Sequence, residues 1–431
     1  MITSAVRTLA TELTGDDLPA YVYDLTALRA HARAVRDALP PGLELYYAAK
    51  ANPAPRILQA LAPHVTGYEV ASGGEVEHVR AAVPGAPLAF GGPGKTEGEL
   101  RRALTLGVER FHVESEQELR LLTGAAQDAG IPAVDLLLRV NLPVAGDELG
   151  GAALAMGGRP SPFGLDPEAV ERCLPLLSAD SGGPLRLRGI HAHLASGLDA
   201  PAQVAVAAAI ADWAAKLSER HGLGLTEVNV GGGMGVDYAH PDRRFDWAAY
   251  GQGMADLALR HPDLTLRIEP GRALTVYCGW YVTEVLDIKH SGGEAFAVVR
   301  GGTHHLRTPA TKQHDQPFQV LPMDAGSTGD AGNTGNTGDA GSTGDAGNTR
   351  DAGNTRDTWT RPWPRPAVRA EPVTLVGQLC TPKDVLAGRI PVQELRVGDR
   401  VAFAMAGAYA WNISHHDFLM HPRPGFHYLE E

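Results

Sequence analysis

Before residue 270 the chain repeats one pattern eight times: a short apolar run with strand character, then a stretch carrying Ala, Leu, Val and Glu at helical spacing. The runs are Glu44–Ala48, Gly67–Ala71, Pro87–Phe90, Arg110–Val113, Val134–Val140, Leu187–His193, Glu227–Val230 and Thr265–Glu269. Eight alternations over about 230 residues are what an α/β (β/α)8 barrel requires. A doubly wound open sheet competes, but it usually needs fewer units. At 431 residues the chain is longer than one barrel, so a second domain is expected.

From Leu274 the pattern changes to strand-like runs with few helical stretches, as in Val282–Ile288, Ala295–Arg300, Val373–Val376 and Arg400–Ala404. The expected organisation is an N-terminal segment (1–25) joining a β domain, a barrel (26–273), and a C-terminal mainly β domain (274–323 and 359–431). An insertion at 324–358 separates its two parts. It is built from near-repeats of Asp-Ala-Gly-Asn/Ser-Thr-Gly/Arg between Asp324 and Asp357, with almost no large apolar side chain. Such a segment cannot offset its ordering entropy, so disorder is expected there. A calcium-binding solenoid would want an apolar residue at fixed spacing, and none is present.

In a barrel of this kind, chemistry gathers at the carboxyl ends of the strands, with phosphate sites after the seventh and eighth. The polar residues of this chain fall there. Lys50 follows the apolar stretch Leu43–Ala49, where desolvation would free its amine for Schiff-base chemistry. Strand five ends at Arg139 and Asn141, and strand six contributes His191, His193 and then Ser196. Strand seven runs into Gly231-Gly232-Gly233-Met234-Gly235, and strand eight into Glu269-Pro270-Gly271-Arg272. The triple glycine lets backbone N–H groups approach a phosphate closely, and Gly271-Arg272 adds further donors. Glu269 suits a protonated ring nitrogen, although an ion pair with an arginine would also satisfy a buried carboxylate. A metal at His191 and His193 would want a third ligand at usable spacing, so none is expected. Lysine, phosphate cradle, carboxylate and a histidine able to stack on a flat ring converge on pyridoxal 5′-phosphate (PLP).

Ten segments then resemble, in order, the fold-type III PLP-dependent decarboxylases, the group of diaminopimelate and ornithine decarboxylases. They are YYAAKAN (46–52), YEVASGGE (68–75), FHVES (111–115), LRVN (138–141), FGLD (163–166), HLASG (193–197), GGGMG (231–235), EPGR (269–272), CTPKD (380–384) and AGAY (406–409). The resemblance implies that Lys50 is the Schiff-base lysine, His193 the ring-stacking residue and Glu269 the partner of the pyridine nitrogen. It implies a phosphate site of Ser196, Gly231, Gly232, Gly233, Gly271, Arg272 and Tyr409. Cys380 corresponds to a proton donor and Asp384 to an acid that contacts substrate, and the resemblance implies that these two and Tyr409 reach each site from a second subunit. A head-to-tail homodimer with shared active sites is implied as well.

Departures from the pattern bear on substrate. Thr381 stands where diaminopimelate decarboxylases typically carry a glutamate, which removes a charge-assisted contact to a distal ammonium. The Cys-Thr-Pro-x-Asp form is similar to a branch of siderophore and antibiotic biosynthesis. So are Met156-Gly157-Gly158 and His421-Pro422-Arg423-Pro424. That branch acts on amino acids with a large appended group, citryl or carrier-linked. Besides Arg139 and Thr381, the candidate substrate contacts are His304, His305 and Arg307, which could meet an anionic appendage. Ala195 and Gln378 replace a common glycine and proline. Diaminopimelate decarboxylation and amino-acid racemisation are the alternatives. A racemase normally sets an arginine against the pyridine nitrogen, so Glu269 favours decarboxylation. A carrier that binds PLP without catalysis would lack the β domain that bears Cys380 and Tyr409. A net charge of −12 argues against nucleic acid or an anionic membrane as partner. Three cysteines without pairing pattern, and no signal-peptide or membrane-spanning run, lead to the expectation of a cytoplasmic enzyme.

Overall fold

The computed structural model describes residues 2–143, 154–155, 160–178, 182–323 and 359–430. The chain divides into two compact units. The repeat at 324–357, expected to be disordered, and Met156-Gly157-Gly158 lie outside the described residues.

One unit comprises 25–236 and 244–275. Counting from β1 (Ala20–Asp24), which belongs to the other unit, its strands are β2 (Glu44–Ala48), β3 (Gly67–Val70), β4 (Leu88–Phe90), β5 (Arg110–Val113), β6 (Val134–Arg139), β8 (Leu185–His191), β10 (Glu227–Asn229) and β11 (Thr265–Ile268). All eight pair in parallel and close into a barrel. Between β6 and β10 the chain also forms a two-stranded antiparallel ribbon of β7 (Leu154–Ala155) and β9 (Ala195–Ser196). Parallel strands covered on both faces read as unbroken apolar runs rather than alternating ones, and β3 and β4 are buried at every residue. Helix starts are local. Ser72, Ser115, Asp166, Asp199 and Asp246 each accept a hydrogen bond from a backbone N–H in the first turn of the helix that follows. Each such cap is worth about 1 kcal/mol. Charges near the amino ends of the strands are spent on one another: Arg110 pairs with Glu227 at 2.6 Å, and Arg267 donates through Nε to Glu44 at 2.7 Å.

The other unit comprises 1–24, 237–243 and 276–431. Residues 237–243 therefore group with the β unit, although they fall inside the range expected for the barrel; within it Tyr238 stacks on His314 with ring centres 4.2 Å apart. Its strands are β12 (Gly279–Ser291), β13 (Glu294–Val299), β14 (Phe318–Leu321), β15 (Ala367–Val376), β16 (Val385–Arg396), β17 (Arg400–Phe403) and β18 (Gly425–Leu429), together with β1. They lie in the order β14-β17-β12-β13-β15-β16, with β1 antiparallel to β12 and parallel to β18. A helix at Ser4–Glu12 packs Val6 and Ala10 against Val22, Trp280 and Val282. Pattern reading passed over β16 because Gly388 and Pro391 interrupt it. It is an edge strand, paired with β15 alone, and an edge tolerates proline.

Candidate active site

The turn Ala49–Ala51 that follows β2 carries Lys50. Its Nζ lies 2.6 Å from Oε2 of Glu69 on β3. The expected desolvated amine is not what the fold builds: the Lys50 side chain is 45% exposed and ion-paired, whereas Glu69 is buried. Burial pushes the Glu69 carboxyl up, the Lys50 ammonium pulls it back, and Glu269 pushes it up again. Glu69 and Glu269 are thus two acids sharing one end of the barrel.

Glu269 follows β11 and is 7% exposed. Asn229, fully buried at the end of β10, donates Nδ2–H to its Oε1 at 2.6 Å, and Asn229 Oδ1 accepts from the N–H of Gly231 at 2.9 Å. One side chain therefore seats the carboxylate and starts the glycine loop. His191 Nε2 stands 3.4 Å from Oε2, and His112 Nδ1 stands 3.9 Å from Oε1. The rings of His112 and His191 stack at 4.2 Å and 23°. Burial, with further contributions from neighbouring positive groups, holds both imidazoles well below their ordinary range, so both are neutral. One donor atom from each of His112, His191 and Glu269 lies within 4.8 Å of the others, a buried three-residue cluster that the His191 and His193 spacing did not foreshadow.

His193, just past β8, accepts the Gly232 N–H at Nδ1 (3.1 Å), so its proton resides on Nε2, which faces Ser196 Oγ at 3.3 Å. Burial first, then Lys50 and Arg139, lowers it to about 4 and leaves a flat neutral ring. The glycines are steric necessities. Gly231 and Gly233 have φ of +72° and +99°. A Cβ on Gly233 would lie 2.2 Å from the Ala195 carbonyl, and one on Gly232 would lie 2.4 Å from that of Glu269. Gly271 and Arg272 lead into the short helix Arg272–Thr275. Arg139 is already matched: its Nη1 lies 2.6 Å from Glu114 and its guanidinium sits over the Phe163 ring. An amine, a seated carboxylate, a neutral imidazole plane and a glycine loop with no room for side chains are a set that fits PLP.

In the β unit three expectations change. Asp384 is 2% exposed, and its oxygens are engaged: Oδ1 accepts from the Thr303 N–H (2.6 Å) and Oγ1 (2.8 Å), Oδ2 from the Leu379 N–H (2.8 Å). It clamps two loops instead of presenting a free acid to substrate. His304 and His305 are buried, and burial with neighbouring histidines lowers them to about 4 and about 3. Neutral and enclosed, neither can offer positive charge to an anionic appendage; His305 Nδ1 faces the Tyr281 hydroxyl at 3.0 Å instead. Cys380 is exposed, Thr381 is half-buried, and Tyr409 is half-buried with φ of +48°. The departure at Gln378 is structural, since its Oε1 accepts the Gly301 N–H and its own N–H returns a bond to the Gly301 carbonyl, both at 2.7 Å.

Sequence reading missed Glu69, His112, Glu114 and Asn229. A signal existed for three of them: Glu69, His112 and Asn229 are polar residues flanked on both sides by apolar ones in short barrel strands, a placement that demands a partner.

Residues 25–276 match the family described as "Pyridoxal-dependent decarboxylase, pyridoxal binding domain". Among curated relatives, the 2-[(L-alanin-3-ylcarbamoyl)methyl]-2-hydroxybutanedioate decarboxylase of Staphylococcus aureus is 37% identical over 95% of this chain and 94% of its own length. The L-glutamyl-[BtrI acyl-carrier protein] decarboxylase of Niallia circulans is 28% identical over 95% of this chain and 88% of its own. Among solved structures, Helicobacter pylori diaminopimelate decarboxylase complexed with L-lysine aligns with a TM-score of 0.77 over 98% of this chain and 93% of that one. At 24% identity it is a likeness of fold.

Proposed function

The chain belongs to the pyridoxal-dependent decarboxylases, and from that premise we propose that it removes the α-carboxylate of an amino-acid conjugate in siderophore or related secondary-metabolite biosynthesis. It is a PLP-dependent carboxy-lyase acting on an amino acid or amino-acid conjugate. The observation that carries the finer reading is the loop Cys380–Asp384. Thr381 brings a hydroxyl where diaminopimelate decarboxylases typically hold a carboxylate, and Asp384 is consumed by its own backbone clamp. A substrate with a distal ammonium finds no free acid in this loop. The Staphylococcus relative, by its name, acts on an alanine unit amide-linked to a hydroxydicarboxylate.

Bound PLP supplies an electron sink for the charge left at Cα when CO2 departs. The protein does the rest. Lys50 provides the amine that anchors the cofactor, and Glu269, seated by Asn229, holds a proton on the ring nitrogen. His193 would offer its flat, neutral imidazole for the ring to stack on. Ser196, the glycines 231–233, Gly271, Arg272 and Tyr409 take the phosphate. The exposed thiol of Cys380 delivers a proton to Cα. A racemase assignment would want a cation facing the ring nitrogen, and Glu269 with two neutral imidazoles gives the opposite charge.

The test is CO2 release by the purified, PLP-loaded protein from the conjugate named for the Staphylococcus relative, and from diaminopimelate, ornithine and glutamate. We expect kcat/KM for the conjugate to exceed that for diaminopimelate by at least about 10²-fold, the range open to a site built for particular polar groups. Faster turnover of diaminopimelate would overturn the reading.

We further place the enzyme in a reducing cytoplasm, in keeping with its sparse, odd count of three cysteines. No described helix is long and apolar enough to cross a membrane. The working form is a homodimer in which a second copy completes each site. Lys50→Ala and Cys380→Ala proteins, each nearly inactive, should then regain about a quarter of wild-type activity when refolded together, because half the dimers are mixed and each mixed dimer has one intact site. No recovery on mixing would place both residues in one chain's site.

A further inference from the structure

We propose that His191, braced by the stacked ring of His112, is a positioning residue for Glu269, the second donor after Asn229 that holds its carboxylate for the cofactor's ring nitrogen. The inference rests on the PLP reading above and gives a role to two side chains which that reading leaves unused.

The pair belongs to an unusual layer of the barrel. A layer of a (β/α)8 core takes four side chains from alternate strands, and bulky branched aliphatics dominate there. Here alternate strands supply Glu69 on β3, His112 on β5, His191 on β8 and Glu269 just past β11. All four are buried. Polar groups so placed must answer one another. Lys50 answers Glu69. The polar side chains next to Glu269 are an amide and two imidazoles.

Their protons can be placed. Asn229 Oδ1 accepts the Gly231 N–H, so its Nδ2 carries the hydrogens and faces both Glu269 Oε1 at 2.6 Å and His112 Nε2 at 3.5 Å. An amide nitrogen only donates, so His112 Nε2 accepts and its proton lies on Nδ1. That nitrogen is 3.9 Å from Glu269 Oε1, too far for a hydrogen bond, and the work of His112 is the stack at 4.2 Å that fixes the plane of His191. His191 Nε2 is 3.4 Å from Glu269 Oε2, and an ionised carboxylate only accepts, so the proton of His191 lies on Nε2. Among the described residues neither ring nitrogen of His191 completes a hydrogen bond, which leaves this N–H available to Glu269. The contact is long, as hydrogen bonds of a site often are before it is loaded.

The neutrality of the donors matters. An arginine in place of His191 would cancel the charge of Glu269, whereas an uncharged N–H steadies the carboxylate and leaves that charge for a protonated ring nitrogen. Burial foremost, and then the neighbouring cations Arg139, Lys50, Lys95 and Arg267 together with His193, keeps the pair uncharged.

The experiment has an apoprotein arm and a loaded arm. In 15N-histidine NMR of the wild-type apoprotein, with signals assigned from His191→Gln and His112→Phe, His191 should appear as the Nε2–H tautomer and His112 as the Nδ1–H tautomer. The loaded arm follows the ring nitrogen of 15N-labelled PLP across pH, beside steady-state kinetics. His191→Phe keeps a flat ring but lacks the donor. Its bound ring nitrogen should lose its proton about one pH unit lower than in wild type, and kcat should fall about 10–100-fold with KM little changed, the scale of one hydrogen bond to a charged group. His191→Gln returns an N–H and should recover most of both. His112→Phe keeps the stack and should stay closer to wild type than His191→Phe does. If wild type takes up no PLP, the cofactor reading itself falls. If it does, and His191→Phe moves neither the ring-nitrogen transition nor kcat, only the histidine assignment falls. The reverse tautomers would overturn the assignment, and so would a stoichiometric metal ion that is lost in His191→Phe, which would make His112, His191 and Glu269 its ligands.

Discussion

Replacing Lys50 by arginine is expected to abolish turnover while leaving the protein folded. Arginine keeps a cation opposite Glu69, whose carboxylate lies 2.6 Å from the lysine nitrogen, but a guanidinium is not a usable amine nucleophile. Decarboxylation should drop by at least about 10³-fold, and borohydride should no longer fix cofactor to the peptide that carries residue 50. Lys50→Ala should lose the same activity and some stability besides, because it strips the buried Glu69 of its cation. That cost falls between the ~1 kcal/mol of an exposed pair and the ~3 kcal/mol of an enclosed one, since the lysine end is nearly half exposed. Persistence of borohydride labelling and turnover in Lys50→Arg would remove Lys50 from the chemistry. A fall in turnover confined to Lys50→Ala would mean that the ion pair, not the amine, is what matters.

The second large effect is expected at Glu269→Gln. The substitution keeps the shape that Asn229 holds at 2.6 Å but removes the charge proposed to keep a proton on the ring nitrogen. The surrounding imidazoles cannot substitute for it, because burial keeps His112 and His191 neutral. A loss of about 10²–10³-fold in kcat is the scale of removing one preorganised electrostatic group from a water-excluded site. Single-turnover kinetics, with the cofactor's absorption followed across pH, separate this from weakened cofactor binding. Activity within about threefold of wild type would assign Glu269 a structural role.

Substrate choice rests on what the loops have already used. Had Asp384 been free, a diamino acid would have been the natural guest. Asp384 instead closes the Cys380 loop onto Thr303 and is spent on the fold. The same four residues, Thr303 to Leu306, contain the histidine pair that looked suited to an anion from composition alone, and the fold buries it.

What the sequence by itself determined is the barrel and the position of its chemistry along the chain. Strands buried on both faces must be apolar throughout, so eight such runs separated by helical stretches leave few other architectures. A barrel puts the ends of those strands at one mouth, and so Lys50, His193, the glycines 231–233 and Glu269 were legible as one set. The tertiary structure alone decided which polar groups are spent and which are left to act. Glu69 meets Lys50, Asn229 meets Glu269, Glu114 meets Arg139 and His112 stacks on His191, across separations of 19 to 79 residues. No local pattern encodes those meetings. The charge of a carboxylate or imidazole depends on how completely water is excluded and on which partner faces it. Both are properties of neighbours in space, which is why Asp384 and the histidine pair, persuasive as a motif, turned out to serve the fold.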